Sequence, residues 1–235
     1  MDGDHVPDIA IGRLPVLTAE ELRAAINKII VYESTPGSRI VMLADSQDDG
    51  GNFHADSDDV AALVPAGYSV DKIYLLPYQP GYTLEVARQL LFDEIQNGVI
   101  VLNYMGHAGY NILAVEGLLQ MSDVALLQNN SNPFVLAAMT CTVGNYAQPG
   151  LESLSEALVI KASGGAVAVW APTGLTYNYL SKILDEQFFM GAFGHGRVAL
   201  GDVILGVFRN YSLTGDPVYV MDIYNLQGDP ALRLR

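Results

Sequence analysis

The chain of 235 residues holds a single cysteine, Cys141, so no internal disulfide framework supports it and cysteine pairing says nothing of redox compartment. Charge is scarce and mostly of one sign. Only 16% of residues are charged, and 12 Lys and Arg stand against 26 Asp and Glu, for a net charge of −14. Such a balance argues against nucleic acid or an anionic membrane surface as partner, and favours a cationic peptide, a basic substrate or calcium. No apolar run reaches the roughly 18 residues of a spanning helix, so membrane insertion is not expected. The opening MDGDHVPD has neither a basic segment nor an apolar signal core. It reads as a start made inside a longer native chain, whose other domains are expected partners. No internal repeat and no low-complexity linker interrupts the sequence.

What is present is apolar. Half the residues are hydrophobic, enough to bury a large α/β domain, or a domain with a remnant of a neighbour. In residues 1–35, Ile9–Ile11 reads as a short strand and TAEELRAAINKIIVYE (18–33) as a helix. Thr18 with Glu21 makes a capping box, and Leu22, Ala25, Ile26, Ile29 and Ile30 recur at helical spacing. This stretch is expected to be the remnant of a preceding subdomain. From residue 36 to 235 strand and helix alternate. Continuous apolar runs at 39–45, 72–76, 99–104, 133–139 and 166–171 read as buried parallel strands. Helices are expected near 56–67, over 83–98 closed by Gly98, over 122–130 capped by Ser122, and over 153–165 with a Ser153–Glu156 capping box. Two more are expected near 178–190 and 197–211, and the tail carries one or two strands. The alternation implies an α/β fold with a mostly parallel sheet of about six strands covered on both faces.

In such sheets working groups gather beyond the carboxyl ends of the strands. Three strands end in chemistry: the first in Asp45, the third in NYMGHAG with His107 on a glycine-flanked turn, the fourth in TCTVG with Cys141. A thiol to attack a carbonyl, an imidazole to move protons and a carboxylate to orient the imidazole form the set a cysteine hydrolase needs. The backbone N–H groups of Ala108 and Cys141 are candidates for an oxyanion hole. Against this stands the bland reading: free cysteine is a common core residue, and Gly-His-Ala is a common turn.

NYMGHAG, followed 34 residues later by MTCTVGNY, then SLSEAL, GGAVAVWAPT and LQGDPALRL, resembles the gingipain-like cysteine peptidases, family C25 of the caspase-like clan. VPDIAIGRLPVLTAEELRAAINKIIVYE resembles the connection preceding that family's catalytic subdomain. The resemblance implies a three-layer α/β/α caspase-like fold, with 36–235 as the catalytic domain. It implies a secreted or cell-surface cysteine endopeptidase acting on peptides or proteins through a thioester acyl-enzyme. Cys141 matches the nucleophile, His107 the catalytic histidine, and Asp45 falls where the family carries the acid that orients it. One departure is Ala108, where the family usually has glycine. Asn52, with Asp56 nearby, falls near the family's acidic specificity residue, and Tyr177 and Asn178 match a segment lining the same pocket.

Other features carry rival readings. Asp45, Gln47, Asp49, Gly50 and Asp56 fall at calcium-loop positions one, three, five, six and twelve, but Gln and Asp replace the usual ligands and a strand precedes in place of a helix. No cofactor is required for the chemistry, and a looser structural calcium stays open, as does metal binding in general. His54 could join a transition metal or be a loop residue. Trp170 reads as core, Glu156 as a helix cap, and His5 and His195 as surface residues. The alternative from another class is a non-catalytic peptidase-like binding or adhesion module, calcium-stabilised or not.

Overall fold

The computed structural model describes residues 5–76, 79–194 and 198–235. In chain order the elements are α1 (Ala19–Ser34), β1 (Arg39–Ala44), α2 (Phe53–Ala61), β2 (Ser69–Tyr74), α3 (Leu84–Asn97) and β3 (Val101–Met105). Three two-residue strands follow, β4 (Ala108–Gly109), β5 (Ile112–Leu113) and β6 (Leu119–Gln120), then a 3₁₀ helix (Met121–Leu126) and β7 (Phe134–Met139). The rest are α4 (Leu154–Ile160), β8 (Ala166–Pro172), α5 (Asn178–Phe193), α6 (Leu200–Ser212), α7 (Tyr219–Ile223) and β9 (Tyr224–Gln227).

The main sheet has six strands in the order β2-β1-β3-β7-β8-β9, and only β9 is antiparallel to its neighbour. Its central strands β1, β3, β7 and β8 are mostly apolar because both faces are covered, whereas the edge strand β2 carries Ser69, Asp71 and Lys72. Ile40, Met42 and Ala44 of β1 face one core with α2, α5 and α6, while Val41 and Leu43 face a second core with α3 and α4. The chain leaves β1 for β2 on one side and returns to β3 on the other. The order therefore reverses between β1 and β3, where an open α/β sheet leaves a crevice at its carboxyl edge.

Several expectations are corrected. Ile9–Ile11 is not a strand: both isoleucines are exposed, and this segment meets the sheet only through a bridge from Arg13 to Gln227. The Thr18–Glu21 capping box forms as expected. The buried face of α1, however, is Ala25, Lys28 and Tyr32, while Leu22, Ile26 and Ile30 are exposed. Lys28 explains the reversal. Its ammonium donates to the carbonyls of Leu158, Val159 and Ala166, pinning α1 across the end of α4 and the start of β8. The helix expected at 122–130 is the shorter 3₁₀ turn, preceded by Gln120 in the cap position instead of Ser122. The Ser153–Glu156 box forms, but α4 stops at Ile160, and positive φ at Gly164 and Gly165 turns the chain into β8. Trp170 is fully buried, and His195 lies outside the described residues. Among the described residues no helix is long and apolar enough to cross a membrane.

Candidate active site

β1 and β3 are hydrogen-bonded neighbours, so Asp45 and His107 leave the sheet side by side. Asp45 is almost wholly buried, and its Oδ1 accepts from the Ser46 N–H at 2.7 Å. Its Oδ2 accepts from the His107 backbone N–H at 3.0 Å. Burial pushes the Asp45 pKa upward, and these two N–H donors pull it back. The approach requires Gly106, whose φ is +154° and where a Cβ would fall 2.3 Å from the Asp45 Cβ. On the far side of the turn the Tyr104 hydroxyl donates to the His107 carbonyl and accepts from the Ala114 N–H. The histidine turn is thus fixed from both ends.

Orientation of the imidazole ring falls to a different carboxylate. His107 Nε2 lies 2.9 Å from Asp48 Oδ2, while the Asp45 carboxylate reaches the histidine backbone. The ring contact expected of Asp45 is therefore made by Asp48, three residues on, because Gly106 brings the end of β1 against the main chain of the turn. Phe53 stands edge-on to the ring at 5.2 Å. Gly50 closes over its Cε1–Nε2 side, where a Cβ would come within 2.9 Å. Nδ1 has no hydrogen-bond partner among the described residues.

Cys141 leaves β7, the strand beside β3, and is half-buried. Its loop is held by many bonds. Thr142 N–H donates to Gly174 O at 3.0 Å, Gly144 N–H to Pro172 O at 2.9 Å, and Gln227 Nε2 to Gly144 O at 3.1 Å. Thr142 takes the left-handed φ of +49°, an uncommon setting for a branched residue. The Cys141 Sγ lies 3.6 Å from the Thr176 carbonyl. Among the described residues the Cys141 backbone N–H has no backbone acceptor. Ala108 sits in β4, and its methyl packs against the second core.

His107 and Cys141 line one cavity of about 200 Å³ at the carboxyl edge of the sheet. Of the residues expected to touch substrate, Tyr177 and Asn178 line it too, while Asn52 and Asp56 do not. Asn52 caps α2, accepting from the Ala55 N–H at 3.3 Å. Asp56 stands behind Asn178, accepting from its Nδ2 at 2.6 Å. Sequence reasoning did not find Asp48, Phe53, Thr176 or Ser181; the paired glycines at 50–51 were the available signal for a backbone crossing close to other groups.

The acidic segment folds as a turn and the helix α2. Asp45 holds the histidine turn, Asp56 meets α5, and Asp58 takes Lys72 and the Tyr74 hydroxyl at 2.6 and 2.7 Å. His54 stacks on Tyr74 with ring centroids 5.0 Å apart. Among the described residues no group of three or more His, Cys, Asp or Glu gathers to hold a metal ion.

The chain is a three-layer α/β/α domain that sets a thiol and a carboxylate-contacted imidazole beyond the ends of neighbouring parallel strands. The profile of peptidase family C25 matches residues 1–235, and the chain belongs to that family. Solved structures agree on the fold, which is the caspase-like one found in gingipain. The structure of the Arg-specific cysteine proteinase gingipain R superposes with a TM-score of 0.84 at 20% identity, covering 100% of this chain and 57% of that one. In the complex of the Porphyromonas gingivalis RgpB pro- and mature domains the values are 0.83 and 20%, with 100% and 59% covered. A third structure, described only as a protease, gives 0.76 at 15% identity, covering 98% and 57%. The chain thus spans less than two thirds of the length of these neighbours. No curated protein matches it in sequence.

Proposed function

We propose that the protein is a cysteine endopeptidase in which Cys141 is the nucleophile and His107 its proton partner. The observation that carries the reading is that both residues, on adjacent strand ends, open onto the same cavity. In this reading the Cys141 sulfur attacks the scissile carbonyl carbon, and His107 takes the thiol proton and delivers it to the leaving amine. The resulting thioester is hydrolysed by water with His107 as base. Asp48 stabilises the charged ring through Nε2, leaving Nδ1 to face the reacting atoms, and Asp45 acts one step back by fixing the turn. The N–H groups of Ala108 and Cys141 supply the oxyanion contacts; the Ala108 methyl is turned into the second core. A secreted or surface setting, with a peptide or protein as substrate, is part of the same reading and is supported by the family membership.

The test is hydrolysis of an unfolded protein substrate by the full-length protein and by its Cys141→Ser variant. Cleavage that disappears in the variant, with the fold intact by circular dichroism, supports the reading. Equal cleavage by both, or by neither, refutes it and favours a non-catalytic module.

A further inference from the structure

Resting on the peptidase reading above, we infer that the site selects an uncharged side chain before the scissile bond, because no carboxylate lines its cavity and Asp56, behind the Asn178 wall, is already paired with Lys182. The first turn of α2 presents Asp56 to α5, where Asn178 and Lys182 lie one turn apart on the same face. Both carboxylate oxygens are engaged. Oδ2 accepts from Asn178 Nδ2 at 2.6 Å, and Oδ1 lies 3.0 Å from Lys182 Nζ. Lys182 is in turn anchored by Asp59 at 2.6 Å, with Glu186 at 3.9 Å. These acidic neighbours, Asp59 first, push its pKa up to about 12, so the internal cation stays charged over the whole working range.

The cavity itself is electrically neutral away from the catalytic histidine. Its walls include Phe53, Met139, Thr140, Thr176, Asn178 and Ser181, and neither Asp56 nor any other carboxylate lines it. The side chain next to the attacked carbonyl falls closest to the sulfur and enters this space. A guanidinium or ammonium there would lose water and meet no carboxylate in the walls: Asp48 is taken by the His107 ring, and Asp56 lies behind the Asn178 amide with both oxygens engaged. An uncharged side chain of middle size meets apolar and hydroxyl groups suited to it. The gingipain R structure is described as that of an Arg-specific proteinase; this chain is inferred to have a different preference.

The experiment compares kcat/KM of the full-length protein for fluorogenic peptides that differ only before the scissile bond: Gln, Asn, Met and Ala against Arg and Lys. At least a tenfold preference for an uncharged residue is expected. Lys182→Met shifts the ratio at least tenfold toward Arg, and Lys182→Gln, which retains polarity, shifts it in the same direction. Adding Asp56→Asn to either variant removes the gain. A wild type that prefers Arg or Lys overturns the inference alone, as does a ratio unmoved by both Lys182 variants. Failure to cleave any peptide, with Cys141 inert to iodoacetamide, overturns the peptidase reading and this inference with it.

Discussion

At His107 the main chain and the ring are held by different carboxylates, and the two should fail differently. Asp48 touches the imidazole from a half-exposed position, so Asp48→Asn leaves stability within about 0.5 kcal/mol. It should lower peptide hydrolysis by roughly tenfold to a hundredfold, through loss of charge stabilisation on the ring. Gly106→Ala should do the reverse, costing at least about 2 kcal/mol in urea unfolding, because φ of +154° and the 2.3 Å approach to Asp45 both oppose a side chain. An unchanged midpoint for Gly106→Ala would show that the turn tolerates a different path. His107 and Cys141 were legible in the sequence, since each follows an apolar strand and stands among glycines or small residues. Asp48 was not, because nothing local separates it from Asp45 and Asp49 in the same acidic stretch. Its role comes from Gly106, which draws the end of β1 against the backbone and leaves the ring to the next carboxylate along.

Among the elements, α1 shows how a buried charge misleads a periodicity argument. Of its apolar positions at helical spacing, Leu22, Ile26 and Ile30 point outward and Ala25 and Ile29 face the core, where the buried face also carries Lys28. Three carbonyls accept from that ammonium, two of them at the end of α4, where a positive charge also complements the helix dipole. Lys28→Met keeps the stem volume but strands those acceptors, so it should cost about 2–3 kcal/mol by chemical denaturation. A loss below about 0.5 kcal/mol would mean that water or relaxation satisfies the carbonyls. Burial, with Lys161 as a lesser contributor, lowers the Lys28 pKa from 10.5 to about 7. Between those values the unfolded chain binds more protons than the native one, so this residue adds stability as pH rises from about 7 to 10.5. The Lys28→Met curve should lack that rise. The strands β1, β3, β7 and β8 were legible because residues buried on both faces leave uninterrupted apolar runs; β2, at the sheet edge, starts at Ser69 and ends at Tyr74 instead of spanning 72–76. β4, β5 and β6 were not, as two-residue strands have no period to read.

For the molecule as a whole, alternation of strand and helix was enough to give a mostly parallel sheet, and the carboxyl-edge rule placed the candidate site on it. The order of strands, and with it the adjacency of β3 and β7, came only from the structure. The two-faced core also hides an acid the sequence did not single out. Asp185, on the buried face of α5, is fully buried, accepts from Asn103 Nδ2 at 2.6 Å, and has its pKa pushed up to about 8 by burial. Native Asp185 keeps its proton across a range where the unfolded chain has lost it, so its contribution to stability declines as pH rises from 3.8 to about 8. Asp185→Asn retains the acceptor without the titration. Its advantage over wild type should widen across that window and level off above it. A constant difference between the two curves would show that Asp185 is ionised in the native state.

If Cys141 and His107 work as one unit at their shared opening, as proposed, alkylation kinetics will show it. With the native fold verified, the rate of iodoacetamide labelling at Cys141 is measured against pH for the wild type and for His107→Ala. The account predicts ready labelling at neutral pH, with a rate that falls at least tenfold at pH 7 when the imidazole is removed. A sulfur that reacts only after denaturation, or at the same rate with and without the imidazole, would contradict it.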